Sequence, residues 1–278
     1  MLLDYLVIGH VTRDLDGSSS RIGGTAAYAA LTARALGCRV GVITSAGAGM
    51  DLRESLSDVL ITRLLAPTST TFENIYTEAG RQQVIHNVAR PLGFEALPHD
   101  WRARLVHVGP VAQECDPAIV SGLGEAFVGV TPQGWMRQWG EDGYVSRSRW
   151  EEAELVLPYA DAVVLSEEDV RGDRSVVTEY AQKTRCLALT QGAAGCTVYA
   201  AGQVRHFPAP TVQEVDLTGA GDVFAASLFY ALQRGQDAWA AARFANCVAA
   251  RSVTRHGIFA APNPQEVGYC RRVAFAGL

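Results

Sequence analysis

The sequence predicts an α/β fold with a doubly wound, mostly parallel central sheet, helices on both faces and a small β flap. Apolar runs of strand length alternate with helix-patterned segments along most of the 278 residues, and this alternation is typical of parallel strands joined by crossover helices. With 48% hydrophobic and 19% charged residues, the chain can bury a core and is not expected to be disordered. We expect one domain over residues 1–278, with flap segments near 11–20 and 68–88.

The elements of the N-terminal half follow from apolar runs and glycine stops. Residues 2–9 form a mostly apolar run that ends in glycine and predicts a buried strand. Residues 24–36 are alanine-rich with helical spacing and stop at Gly37, as a helix does. A strand at 39–45 and a short helix at 50–56 follow, and Asp51 is expected to cap that helix.

The later elements follow from the same two patterns. Strands are predicted at 105–109, 126–131, 162–166 and 187–190, a hairpin at 195–206, and long helices at 221–234 and 237–255. Residues 68–76 and 82–88 alternate in polarity around a predicted turn at 78–81, which indicates an antiparallel hairpin. Together with the polar segment 11–20, this hairpin predicts a flap over a site. The alternative is a surface excursion without a role.

Charge and composition exclude several functions. A net charge of −5 argues against non-specific nucleic-acid binding, which neutralises phosphates. Lys183 is the only lysine, and it lies in neither a Gly-Lys-Ser/Thr phosphate loop nor a protein-kinase lysine motif. No run approaches the roughly 18–20 apolar residues of a membrane span, and a secretory signal is not indicated. We expect a cytoplasmic protein without nucleic-acid or membrane partners.

The cysteines and histidines predict no cross-link and no zinc site. The cysteines are scattered, form no Cys-x-x-Cys pair and mostly lie in apolar surroundings, so we expect buried, reduced thiols. The histidines show no metal-binding spacing. The cysteines are Cys38, Cys115, Cys186, Cys196, Cys247 and Cys270.

The most informative segment precedes the helix predicted at 221–234. Gly219, Ala220 and Gly221 are small enough for a ligand to approach the backbone closely. The first amides of a helix have no intrahelical partners and lie at the positive end of its dipole, so they can bind an anion without a lysine. Asp222 follows in the first turn. It can either cap the helix or accept a proton from an attacking hydroxyl.

The stretch Asp216-Leu217-Thr218-Gly219-Ala220-Gly221-Asp222 resembles the second signature of the ribokinase/PfkB carbohydrate kinase family, with Leu217 as a departure. The resemblance implies a ribokinase-like fold and ATP-dependent phosphoryl transfer. It assigns the anion hole to Gly219–Gly221 and the role of general base to Asp222.

The resemblance extends to the acceptor side. Gly23 and Gly24 look like the family's Gly-Gly segment, which lies against the sugar, although Tyr28 stands where Asn is common. Asp14 matches the carboxylate that grips substrate hydroxyls. The structural alternatives are a tight loop for the glycines and a solvated carboxylate for Asp14.

The segment Thr131-Pro132-Gln133-Gly134-Trp135-Met136-Arg137 looks like a strand end of myo-inositol kinases and their relatives, with Thr131 in place of Asp. By this resemblance Gln133 and Arg137 bind the polyol or the transferring phosphate. Phe72 lies in a segment that resembles an aromatic-rich strand of the same kinases, and it is expected to contact the substrate. Arg137 could equally be a salt-bridge partner.

On the donor side, Thr190-Gln191-Gly192 resembles the family's strand end beside the ribose and phosphates. The resemblance assigns ATP binding to Thr190, Gly192, Thr218, Asn246 and Gly257. Ser166 and Asp169 replace the Asn and Glu that organise Mg²⁺ through water, and oxygen ligands suit that ion. A monovalent cation is a further candidate cofactor, and a homodimer through the flap is a candidate assembly.

We therefore expect an ATP-dependent kinase of a small polyol or sugar, myo-inositol-like or ribose-like. One alternative is a nucleoside kinase of the same fold, for which Phe72, Tyr76 and Tyr28 offer a shelf. Another is a sugar-phosphate kinase that uses flap arginines, namely Arg13, Arg21, Arg81 and Arg90. A non-catalytic ligand-binding protein is less favoured because the phosphate motif is intact. A dinucleotide oxidoreductase is disfavoured because Gly-x-Gly-x-x-Gly is missing after the first strand.

Overall fold

In the computed structural model, which describes residues 1–17, 19–77 and 80–275, the apolar runs form strands and the alanine-rich segments form helices. The strands are β1 (Leu2–Ile8), β2 (Thr12–Asp16), β3 (Ser19–Gly23), β4 (Val40–Gly47), β5 (Leu60–Ala66), β6 (Thr71–Thr77), β7 (Gly80–Asn87), β8 (Arg102–Val108), β9 (Phe127–Val130), β10 (Arg137–Gln138), β11 (Ser146–Arg147), β12 (Ala162–Ser166), β13 (Cys186–Thr190), β14 (Cys196–Ala200) and β15 (Gln203–Phe207). The helices are α1 (Thr25–Ala35), α2 (Leu52–Ser55), α3 (Ala153–Val156), α4 (Arg174–Ala181), α5 (Ala220–Gln233), α6 (Ala238–Ser252) and α7 (Pro264–Phe275).

Across the described residues, the central sheet has nine strands in the order β15-β14-β13-β12-β9-β8-β1-β4-β5. The neighbours from β5 to β13 pair in parallel, whereas β14 and β15 add an antiparallel hairpin at one edge. One apolar cluster, which includes α1, α5 and α6, covers one face of the sheet, and a second cluster covers the other. The predicted doubly wound α/β fold is confirmed.

The two predicted flap segments meet in a second sheet. Within the described residues its order is β3-β2-β6-β7, with β2 parallel to β6 and the other pairs antiparallel. Phe72 and Ile85 pack with Val111 and Ala112, so the inner face of the flap is held against the loop after β8. Residues 78 and 79 of the predicted turn lie outside the described residues.

The sequence analysis missed several elements, and one element is shorter than predicted. Strand β5, the two-residue strands β10 and β11, and helices α3, α4 and α7 were not predicted. The helix predicted at 50–56 is the single turn α2, and the Asp51 carboxylate accepts hydrogen bonds from the amides of Arg53 and Glu54, so the predicted cap is confirmed. No helix in the described part of the chain is long and apolar enough to cross a membrane.

The prediction that all cysteines are reduced was wrong for one pair. Cys247 in α6 and Cys270 in α7 form a disulfide, with their Cα atoms 5.6 Å apart and a sequence separation of 23. Cys115, Cys186 and Cys196 are free and buried, and Cys38 is free and partly exposed. The pair escaped prediction because packing of α7 on α6 joins it, and α7 itself was not predicted.

We predict that the double variant Cys247→Ser/Cys270→Ser loses roughly 2–4 kcal/mol of unfolding free energy, since a cross-link of this span restricts the unfolded chain. Chemical denaturation without reductant measures the loss, and Cys38→Ser is the control that should unfold like the wild type. Thiol titration of the denatured wild type should detect four thiols. Six thiols would contradict the disulfide.

Candidate active site

The turn before α5 is shaped by a close contact. Gly219, with φ +80°, occupies the N-cap of α5 in a left-handed conformation, and a Cβ on it would lie 2.4 Å from the Tyr28 ring. Only glycine combines this backbone conformation with this contact. No side chain caps α5, so the turn exposes helix amides to the cavity beside it.

The predicted anion hole needs one correction. The amide of Ala220 donates to the carbonyl oxygen of Leu217 at 3.2 Å, so it is partly used by the turn itself. Within the described residues, the amides of Gly219 and Gly221 have no such acceptor. Gly221 is also exposed, and a Cβ there would meet nothing within 4 Å. Gly219 and Gly221 are therefore the better candidates for anion binding at a helix N-terminus.

Asp222 lies in the first turn of α5 and lines the same cavity. Its Oδ1 accepts a hydrogen bond from the Thr25 hydroxyl at 2.7 Å. Burial raises the pKa of Asp222 to about 6, and Asp169 and Asp14 also raise it, whereas the bond from Thr25 and the charge of Arg137 lower it. Such a carboxylate is mostly ionised at neutral pH but still basic enough to accept a proton.

The Gly-Gly segment brings α1 against the flap. A Cβ on Gly23 would lie 2.1 Å from Oδ2 of Asp14, and a Cβ on Gly24 would lie 2.5 Å from the carbonyl oxygen of His10. Gly24 also has φ +85°, so this position requires glycine, whereas a side chain at Gly23 would displace the Asp14 carboxylate. Gly24 and Asp14 line the cavity, whereas Gly23 lies behind Asp14.

A cavity of about 1050 Å³ joins these elements along the carboxyl edge of the parallel strands, where α/β folds bind ligands. We call its flap side the acceptor end and its other side the donor end. The acceptor end is lined by Thr12, Asp14, Gly24, Thr25, Tyr28, Phe72, Gln83, Val111, Gln133 and Arg137. The donor end runs from Ser166 and Thr190 past Gly219 to Asn246 and Val253.

At the acceptor end, hydrogen bonds and ring contacts fix the positions of several predicted substrate residues. The Thr12 hydroxyl donates to Oδ1 of Asp14 at 2.8 Å. Arg137 donates to the carbonyl oxygen of Val111 at 2.9 Å, and its guanidinium lies 5.5 Å from the centre of the Phe72 ring. Gln133 lines the cavity from the turn before Arg137. Carboxylate, amide and guanidinium groups thus surround a space suited to hydroxyl groups.

Of the predicted donor residues, Thr190, Gly192, Thr218 and Asn246 line the cavity. Asn246 is buried and donates to the carbonyl oxygen of Phe207 at 2.9 Å. Gly257 is not among the lining residues described. Its amide donates to Asp216 at 3.1 Å, and the other oxygen of that carboxylate accepts from the Thr218 amide. Asp216 thus links the turn before α5 to the segment after α6 through two hydrogen bonds.

The predicted metal residues form a closed turn at the end of β12. The Asp169 carboxylate accepts from the Ser166 amide at 2.8 Å, and the Asp169 amide donates to the Ser166 hydroxyl at 3.1 Å. Ser166 lines the cavity beside Glu167. The described residues contain no group of three or more His, Cys, Asp or Glu side chains arranged to hold a metal ion.

The cavity residues that sequence reasoning missed include Thr25 and Gln83. The Gly-Gly pattern drew attention to the glycines and not to Thr25 directly after them. Gln83 lies two residues before Ile85 on β7, and alternation along a strand places both on the inner face of the flap. The Gln83 amide donates to Asn74 at 3.1 Å. The alternation of side chains between the two faces of β7 was the sequence signal that could have identified Gln83.

Comparison with known proteins identifies the family of this chain. The model for "pfkB family carbohydrate kinase" matches residues 133–266. A fructokinase of Klebsiella pneumoniae is 30% identical over 258 residues, which cover 81% of this chain and 83% of the fructokinase. A cytidine kinase of Thermococcus kodakarensis is 28% identical, over 84% of this chain and 90% of its own.

The fold also has solved counterparts. A pyrophosphate-dependent kinase in the ribokinase family, complexed with a pyrophosphate analog and myo-inositol, superposes with a TM-score of 0.78. The superposition covers 95% of this chain and 99% of the other, at 21% identity, and so establishes the shared fold. With the fructokinase match over four fifths of both sequences, the chain belongs to the pfkB family of carbohydrate kinases.

Proposed function

We propose that this kinase transfers the γ-phosphoryl group of ATP to a hydroxyl of a small polyol or sugar, with Asp222 as the general base. The observation that carries the proposal is the position of Asp222. It belongs to the helix whose first amides face the donor end, and it is hydrogen-bonded to Thr25 of the acceptor end. A base at this junction is within reach of both reacting groups.

The proposed step is an in-line transfer. The hydroxyl proton passes to Asp222 as the hydroxyl oxygen bonds to the γ-phosphorus, and the bond from that phosphorus to the β–γ bridging oxygen breaks, which releases ADP. The amides of Gly219 and Gly221 stabilise the charge on the transferring oxygens. Arg137, at the acceptor end, adds a fixed cation near Asp222.

The donor end favours ATP over pyrophosphate. Part of its wall is aliphatic, and this apolar surface matches an adenosine group, which pyrophosphate lacks. Among the described residues that line the cavity, Arg137 is the one cation and six side chains are carboxylates, so the cavity offers few fixed cations to any phosphate donor. The aliphatic residues are Ala209, Pro210, Val212, Val215, Leu217, Ala249, Ala250 and Val253.

The excess of carboxylates also supports a role for Mg²⁺. When it is bound, this ion neutralises donor phosphates and offsets the developing charge. Ser166, Glu167 and Asp169 offer oxygen atoms at that end of the sheet, and the first two line the cavity. We propose that they hold the ion through water, because Asp169 already accepts a bond from the Ser166 amide.

The acceptor end favours a neutral polyol or sugar over the alternatives. The side chains of Arg13, Arg21 and Arg90, needed for a sugar phosphate, do not line the cavity as described, and the Arg81 side chain lies outside the described part. For a nucleoside, Phe72 is only 3% exposed and has Arg137 near its ring. Tyr28 is 2% exposed and packs against Gly219. Neither of these two rings offers a broad shelf for a base, and the Tyr76 side chain lies outside the described part.

We predict that Asp222→Asn lowers kcat by about 10²–10⁴, because the amide cannot accept the proton, while ATP and acceptor bind within a few-fold of the wild type. A coupled ADP-release assay and titration calorimetry measure the two effects.

Burial raises the pKa of Asp222 above its ordinary value, so its ionisation disfavours the native state above about pH 4. The variant should therefore not melt below the wild type at pH 7. Asp51→Asn, which alters a distant helix cap, is the matched control. Retained turnover would remove Asp222 from the role of base.

We predict that ATP supports at least 100-fold higher kcat/KM than pyrophosphate. Val215→Asp places a charge on the aliphatic wall and should raise the KM for ATP about tenfold. Val204→Asp, on the exposed strand β15, is the matched control and should leave it unchanged. Equal turnover with pyrophosphate would show that the donor assignment is wrong.

We predict that, among myo-inositol, ribose, fructose, fructose 6-phosphate and cytidine, a neutral polyol or sugar gives the fastest ADP release. Asp14→Asn should raise the KM for that acceptor at least tenfold and leave the KM for ATP unchanged, because the carboxylate accepts two hydroxyl bonds at once. Asp16→Asn alters the same strand outside the cavity and serves as the control. Preference for cytidine would favour the nucleoside alternative.

A further inference from the structure

Thr25 makes a contact that the proposed chemistry has not yet used. It is the first residue of α1 and is 3% exposed. Its hydroxyl donates to Oδ1 of Asp222 at 2.7 Å, across 197 residues of sequence. The bond therefore joins the first turn of the acceptor-side helix to the first turn of the donor-side helix.

The other branch of the Thr25 side chain is packed in place. A Cβ on Gly109, at the end of β8, would lie 2.4 Å from Cγ2 of Thr25 and 3.0 Å from the Thr131 hydroxyl. The methyl group thus lies close against the Gly109 backbone. Because a β-branched residue has few χ1 options, this packing fixes the direction in which the hydroxyl points. Thr25 is a preset donor toward Asp222.

A donor to one oxygen of a carboxylate has two effects. It determines which oxygen remains to accept the proton of a substrate, and it favours the ionised form. The groups around Asp222 make the second effect important. Asp14 from β2 and Asp169 after β12 disfavour its ionisation, and only Arg137 opposes them as a charge. Burial raises the pKa values of Tyr5 and Tyr28, and the nearby charge of Asp222 raises them further.

We propose that Thr25 is a positioning residue that orients Asp222 and keeps it ionised at neutral pH. This inference rests on the proposed function, in which Asp222 is the base. It assigns to α1 a role beyond lining the acceptor end, since the same residue that follows the Gly-Gly segment also holds the reactive carboxylate of α5.

The test compares Thr25→Val, which keeps the shape and removes the hydroxyl, with Thr25→Ser, which keeps the hydroxyl. Carboxyl-¹³C NMR titration of aspartate-labelled protein, with Asp222→Asn to assign the resonance, measures the ionisation of Asp222 without any ligand. The wild type should titrate near pH 6. Thr25→Val should titrate about one pH unit higher, and Thr25→Ser near the wild type.

Kinetics with ATP and the best acceptor of the panel give the second readout. In Thr25→Val the acid limb of kcat should move up with the NMR value, so that the loss due to protonation is about tenfold near pH 5, about twofold at pH 7 and absent near pH 9. Thr32→Val is the matched control, because the Thr32 hydroxyl is equally buried in α1 but donates to the Tyr28 carbonyl oxygen at 2.7 Å. It should keep the wild-type profile.

The outcomes separate the two proposals. An unchanged titration of Asp222 in Thr25→Val, or a loss of kcat that is equal at all pH values, would overturn the role of Thr25. Retained activity in Asp222→Asn would instead overturn the role of Asp222 as base, whatever the titration shows. A serine variant as impaired as the valine variant would contradict orientation by the hydroxyl.

Discussion

The site depends on the close approach of two helix N-termini at the carboxyl edge of the sheet. Small residues allow it: Gly219 lies against the Tyr28 ring, and Gly24 lies against the His10 backbone. The hydrogen bond from Thr25 to Asp222 then crosses the junction. Two positive helix ends beside one carboxylate offset part of the cost of burying its charge. Without this approach, the acceptor loop and the phosphate turn would be separate surfaces rather than one cavity.

The charge balance of the cavity follows from a chain with a single lysine. Its described lining has six carboxylates and one arginine, so fixed cations cannot hold a triphosphate. In the function proposed above, phosphate binding rests on helix amides and on a divalent ion brought with the donor. The same excess of acid keeps Asp222 less acidic than an ordinary aspartate, since Asp169 and Asp14 add to the effect of burial. The excess of carboxylates around the cavity thus leaves few cations for phosphate and adds to the raised pKa of Asp222.

The sequence predicted the layers of the fold and the main residues of the cavity, because both follow local patterns. Apolar runs showed the parallel strands, and the glycine turn showed the start of α5. What it could not predict depends on contacts distant in sequence. The disulfide joins two packed helices, Gly257 lies against Asp216 instead of lining the cavity, and the Thr25–Asp222 bond links residues 197 apart. Because each of these contacts joins residues far apart in sequence, no local sequence pattern predicts it.

The departures from the family pattern are accommodated by neighbours in this chain. Thr131 stands where the myo-inositol kinase resemblance has Asp, and its hydroxyl lies 2.9 Å from Nε2 of His107. Burial lowers the pKa of His107 to about 3, so this histidine is neutral beside the Thr131 hydroxyl. Tyr28 in place of Asn packs on Gly219 and also lines the cavity. In the function proposed above, discrimination among acceptors therefore rests on the polar groups that line the cavity, above all Asp14, Gln133 and Arg137.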